Sequence, residues 1–178
     1  MKNNDSLYDT KVVTIKDYLF YFLIIVAISF ICIYFVRYNT IKLKEKTSVS
    51  YLVKNNYIEN QVKGIQELKQ VLNEKPSRLI LYLSYHNSKK MYNTEKDIAK
   101  AFNDYDTKDI TYIYDFTTLK EKVTNYKEIL DDTLDINVTA FPVIIVYEDG
   151  QISSYKVVKK YNDLKNIFEK YKLEKNSR

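Results

Sequence analysis

The chain of 178 residues has no Trp, one Cys, one His, two Gly and two Pro. Each scarcity removes a class of chemistry. A single thiol, Cys32, cannot form an intrachain disulfide, a Cys-x-x-Cys pair or a thiolate metal site. With His86 as the only imidazole, histidine-rich metal sites are excluded too, and we expect no metal and no cofactor. So few glycines and prolines imply that each marks a backbone position requiring it. Net charge is +5, yet residues 77–178 carry 17 basic against 16 acidic side chains. A nucleic-acid binder would show a basic face on its folded part. We expect no nucleic-acid partner.

What is abundant is apolar and aromatic: 46% hydrophobic residues, with 18 Tyr and 8 Phe. Tyr18 to Val36 runs for 19 residues without a charge, between Asp17 and Arg37. As a helix rising about 1.5 Å per residue it nearly crosses a hydrocarbon core of roughly 30 Å. Tyr18, Tyr21, Tyr34 and Tyr38 stand near its ends, where aromatic belts form. A buried core helix would show a polar face, and this one has none. The run is too long for a signal-peptide core and lacks small residues before a cut, so we expect it to be retained. The expected partner of residues 18–36 is therefore membrane lipid, in a single-pass protein of the cell membrane.

Orientation has two readings. Arg37, Lys42, Lys44, Lys46 and Lys54 follow the helix, which by the positive-inside rule favours a cytoplasmic C-terminal part. A short polar N-terminal tail before one helix is instead the plan of an exported, anchored domain. We expect the extracytoplasmic placement. The organisation is then a tail (1–17), an anchor (18–36), a charged spacer (37–60), a domain (61–173) and a short tail (174–178).

Within the domain, apolar spacing predicts a helix over 65–75, stopped by Pro76, with a short edge strand near Val62. Leu79 to Ser84 reads as a buried strand. Thr94 is the expected cap of a helix running to Asn103. Asp109 to Phe116 alternates as a strand, and Thr118 to Leu130 reads as a helix. Phe141-Pro142 opens the strand Val143 to Tyr147, which turns at Asp149-Gly150 into Gln151 to Val158; Asn162 to Tyr171 closes the chain as a helix. This order is α/β with a mixed sheet.

Two pieces carry a resemblance. Tyr85-His86-Asn87-Ser88-Lys89 follows the first central strand, and Phe141-Pro142 precedes VIIVYEDGQI. In this order and separation they resemble the thioredoxin fold over residues 61–173. The resemblance implies that His86 stands where the nucleophilic cysteine would be and Lys89 where the resolving one would be. It implies that Pro142 is the cis-proline facing that turn. The anchor plus domain is loosely similar to thioredoxin-like accessory proteins of secretion or bacteriocin systems.

The family's chemistry is not implied. Thiol exchange needs a thiolate and a second thiol, and neither His86 nor Lys89 can supply them. A hydrolytic site at His86 with Ser88 is disfavoured, because residues two apart in a turn rarely align and no acidic orienter stands nearby in sequence. Ser153-Ser154-Tyr155-Lys156 has an SxxK spacing but lies on a predicted strand, and Asp104, Asp106 and Asp109 lack the glycine of a calcium loop. We expect a non-enzymatic, redox-inactive module that binds a protein or peptide partner. Its groove would be built from Tyr85, His86, Asn87, Ser88, Lys89, Ala140, Phe141 and Pro142. Two alternatives are an accessory thiol–disulfide enzyme using a partner's cysteines, and a structural subunit acting through its membrane helix.

Overall fold

A computed structural model describes residues 14–176, so the stretch 1–13 of the expected tail and residues 177–178 lie outside the described residues. The chain divides into two compact units, one up to Lys42 and one from Leu43 onward.

Among the described residues the first unit is a single helix, α1 (Ile15–Thr47), whose last turn belongs to the second unit. It contains a stretch long and apolar enough to cross a membrane, with side chains such as Phe22, Ile25 and Phe30 uncovered by protein. Its helical path continues beyond Val36 through Arg37, Lys42 and Lys44. Straight-chain basic residues are good helix formers and impose no break.

The second unit contains α2 (Tyr51–Lys54), β1 (Asn60–Val62), α3 (Ile65–Asn73), β2 (Arg78–Ser84), α4 (Lys89–Asp104) and β3 (Thr111–Asp115). It continues with α5 (Thr117–Lys122), α6 (Tyr126–Leu134), β4 (Val143–Glu148), β5 (Gln151–Val157) and α7 (Tyr161–Lys170). The five strands lie in the order β1-β3-β2-β4-β5. β1 and β2 run parallel to β3; β4 runs antiparallel to β2 and to β5. A parallel half joined to an antiparallel hairpin, with helices on both faces, is the thioredoxin-like fold.

Strand periodicity builds two cores. On one face Ile80, Tyr82, Ile113 and Ile144 pack against Phe102 of α4 and Phe168 of α7. On the other, Leu79, Leu81, Leu83 and Ile145 pack against Leu68 of α3 and Leu130 of α6. β2 is buried on both faces, which is why RLILYLS is nearly continuous in apolar residues instead of alternating.

Several boundaries differ from the sequence expectation. The domain start expected at residue 61 falls inside a unit that already includes Leu52 and Ile58, both fully buried in the first core. The helix after β2 begins at Lys89, capped by Ser88, whose Oγ accepts from Met91 N at 3.3 Å. Thr94, the expected cap, is internal to it, and its hydroxyl donates to Lys90 O. Ser88 prevails because its own backbone is extended, φ −132° and ψ 119°, as a cap requires. The helix expected over 118–130 is two helices, interrupted where Val123 takes an extended conformation among poor helix formers. α6 then runs on to Leu134 and ends at Asp135 in the left-handed region, φ 54°.

The Asp149-Gly150 turn has φ of 52° and 77°, the pattern of a type I′ hairpin. A Cβ on Gly150 would lie 2.7 Å from Lys75 Cγ. Gly150→Ala is therefore expected to lower stability by about 1–2 kcal/mol in a denaturant titration, through strain and crowding together. An unchanged midpoint would show that Lys75 moves aside and the strain is small.

Candidate functional site

The resemblance directs attention to the C-terminal end of β2, where Tyr85 to Ser88 leave the sheet. Asn87 takes φ 61°, a left-handed position that asparagine tolerates better than other side chains with a Cβ. Its N–H donates to Thr47 O at 2.7 Å, tying the turn to the last residue of α1. Its side-chain amide donates to Glu121 of α5.

From this turn the two neighbouring side chains diverge. Tyr85, half-buried, packs into a cluster with Phe116 and Phe141, at centroid distances of 5.6 and 6.4 Å. Phe116 is 4.4 Å from Phe141 and stacks on Tyr126 at 5.8 Å. Lys120 Nζ lies 3.5 Å from the Tyr85 ring centre, a cation–π contact that holds the ring's outer face. His86 instead turns toward β3, where its Nδ1 lies 2.6 Å from Asp115 Oδ2.

This His86–Asp115 contact corrects the expectation that no acidic orienter is at hand. Twenty-nine residues separate the pair in sequence; parallel pairing of β2 with β3, Ser84 opposite Asp115, brings them together. The arrangement is fixed from behind. Thr117 Oγ1 donates to Asp115 Oδ1 at 2.6 Å and accepts from His86 N at 2.7 Å, and Thr117 N donates to the same Oδ1. A histidine oriented by a carboxylate is half of a nucleophilic site. The Ser88 hydroxyl accepts from Met91 N as the cap of α4. Lys89 is exposed at the first residue of α4.

Across β2 lies the loop before β4. The Phe141-Pro142 bond is cis, with Pro142 buried and its carbonyl accepting from Val158 N at 2.9 Å. Ala140 is exposed and Phe141 half-buried. No backbone hydrogen bond joins Ala140 or Phe141 to another of the described residues. Of the eight expected groove residues, the structure thus gathers Tyr85, Ala140, Phe141 and Pro142 on one side of the β2 terminus. His86 faces the other side, Asn87 bridges to α1 and α5, and Ser88 caps α4.

Beneath the turn sits a group that the sequence reading overlooked. Glu95, 1% exposed, accepts hydrogen bonds from Ser84 Oγ (2.5 Å), Ser50 Oγ (2.8 Å) and Tyr51 N (2.6 Å). Burial pushes its carboxyl above the usual glutamate range; these three bonds oppose that shift, and the charge of Asp115 adds to it. The signal was present in sequence: Glu95 interrupts the apolar stripe Met91, Ile98, Ala99, Phe102 of α4. A charge on a core-facing stripe implies buried partners. Among the described residues, no group of three His, Cys, Asp or Glu side chains could hold a metal ion.

No protein-family model and no curated protein matches the chain. Solved thioredoxins do align. The thioredoxin of Malassezia sympodialis aligns at 12% identity and TM-score 0.45, over 63% of this chain and 90% of that one. Oxidised thioredoxin from Plasmodium falciparum gives 17% and 0.44, over 63% and 96%. Thioredoxin f of spinach chloroplast gives 13% and 0.45, over 65% and 93%. Strand order and connectivity, not these alignments, define the fold.

Proposed function

We propose that this protein is a membrane-anchored, redox-inactive thioredoxin-like module that holds an extended segment of a partner protein. The anchor is residues 18–36 of α1, with the domain outside the cytoplasm, and the setting is an accessory role in a secretion, bacteriocin or surface-assembly system. One observation carries the reading: the backbone of Ala140 and Phe141 is unpaired beside the half-buried rings of Tyr85 and Phe141. An extended chain can add its own N–H and C=O groups to such a loop while its side chains rest on the aromatics, the β-augmentation mode of recognition. With Cys32 as the only thiol and placed in the apolar helix, holding without covalent exchange is the role left to this groove. Catalysis is not part of the proposal.

The test is a photo-crosslinker, p-benzoylphenylalanine, at Ala140 of the full-length protein in its native membrane. A discrete adduct is expected, reduced several-fold by Pro142→Ala and unchanged by His86→Ala. No adduct, or one indifferent to Pro142→Ala, would sink the reading. An adduct abolished by alkylating the partner's cysteines would favour the thiol–disulfide accessory role instead.

A further inference from the structure

α4 turns Ile98, Ala99 and Phe102 into the first core, and its opposite stripe is Lys89, Asn93, Lys96 and Lys100. These positions recur at helical spacing and are all exposed, so one solvent face carries a row of lysines about 16 Å long. The acids of α4 lie off this stripe: Glu95 is buried, and Asp97 and Asp104 stand to one side. Lys46, in the last turn of α1, joins the row by placing its Nζ 4.9 Å from the ring centre of Tyr92. Tyr92 meets Tyr51 edge-on at 5.3 Å, and Tyr51 stacks on Tyr57 at 6.1 Å. No ion pair joins Lys46, Lys89 or Lys96 to another of the described residues. Acidic charge gathers on the other face of the sheet. There α6, packed in the second core through Leu130, carries Glu128, Asp131 and Asp132 against Lys127 alone, and Asp135 caps it. Opposite charges on opposite faces give the domain a dipole across its sheet although its total charge is nearly balanced.

We infer that the Lys89–Lys96–Lys100 stripe, with Lys46 and the tyrosines beside it, docks on an anionic phospholipid surface. The inference rests on the reading of residues 18–36 as a membrane span. From Val36 to Leu43, where the second unit begins, the chain spans at most about 25 Å even when fully extended. A bilayer at one end of that tether keeps the domain within reach of the headgroup phosphates. Attraction then turns the positive face of the dipole toward them and α6 away. Lysine stems and tyrosine rings suit this boundary, because each has an apolar body and a polar end. An acidic protein would also satisfy the charge. The tether favours lipid, because it holds the lipid surface at a high effective concentration that a free partner lacks.

Cys32 is the only thiol, so a Cys32→Ser background lets one introduced cysteine carry a fluorophore. The full-length protein labelled at Asn93→Cys, within the stripe, would be reconstituted in nanodiscs whose lipid includes a spin-labelled headgroup as quencher. Phosphatidylcholine alone is compared with an equal mixture of phosphatidylcholine and phosphatidylglycerol. Quenching at position 93 is expected to rise several-fold with phosphatidylglycerol and to fall back in high salt. The same fluorophore at Asn137→Cys, beside Asp131 and Asp132, is expected to stay unquenched in both lipids. Lys96→Gln, a change at an exposed side chain, is expected to lower the ratio of docked to free domain roughly fivefold. In an incorporated chain, equal quenching in the two lipids would overturn the inference alone and leave the lysines to an acidic protein. Stronger quenching at position 137 than at 93, or indifference to Lys96→Gln, would overturn it as well. A chain recovered outside the nanodiscs would overturn the membrane span, and this inference with it.

Discussion

Glu95→Ala is expected to destabilise the domain by about 3 kcal/mol or more, measured by denaturant unfolding of the full chain in detergent. Three donors converge on this carboxylate from two parts of the chain, the adjacent Ser50 and Tyr51 and the β2 residue Ser84. Truncation leaves the Tyr51 N–H and two hydroxyls buried without an acceptor, and each such loss carries a desolvation cost of about 1–3 kcal/mol. The effect should be larger than for truncating an exposed glutamate, where about 0.5 kcal/mol is usual.

Glu95→Gln separates charge from hydrogen bonding. Because burial raises the carboxyl above its ordinary 4.5, the folded state binds a proton that the unfolded state has already released within that window. Glu95 therefore favours the folded state below the window, and that contribution is lost as pH rises through the raised value. Relative to wild type, the glutamine variant should show a flatter stability profile from pH 4.5 upward. Two parallel profiles would mean that Glu95 titrates normally in the fold, and would refute the burial argument.

Phe116→Ala is expected to cost about 3–5 kcal/mol, the range for deleting a buried phenylalanine. The ring is 1% exposed and supports the whole aromatic cluster, with Phe141 at 4.4 Å, Tyr85 at 5.6 Å and Tyr126 stacked at 5.8 Å. Its removal should release Phe141, so the Ala140 crosslink should fall together with stability. Phe116→Leu restores most of the volume and should recover most of the stability without the ring contacts. If stability returns and the crosslink does not, the aromatic geometry itself serves the groove. If the crosslink survives Phe116→Ala in protein that is still folded, the cluster has no part in holding a partner.

Residue order alone determined much of this protein. Nineteen uncharged residues define the apolar helix without tertiary help, because such a run needs no partner to declare its period or its solvent. The buried strand 79–84, the Pro142 junction and the Asp149-Gly150 hairpin were legible for a similar reason. Each is a local pattern whose backbone consequence follows from the side chains in place. The lack of any cysteine beyond Cys32 was equally plain, since it needs only a count of residues.

The site was decided by packing. His86 and Asp115 become neighbours only when β3 pairs with β2, and no spacing rule links residues twenty-nine apart. The separation of His86 from Tyr85 follows from the turn's geometry: adjacent residues leaving a strand point to opposite sides. That single fact divides an expected groove in two, an aromatic side at Phe141 and a cleft lined by His86 and Asp115. Glu95 joins segments forty-five residues apart because a buried carboxylate must find its donors wherever the fold brings them.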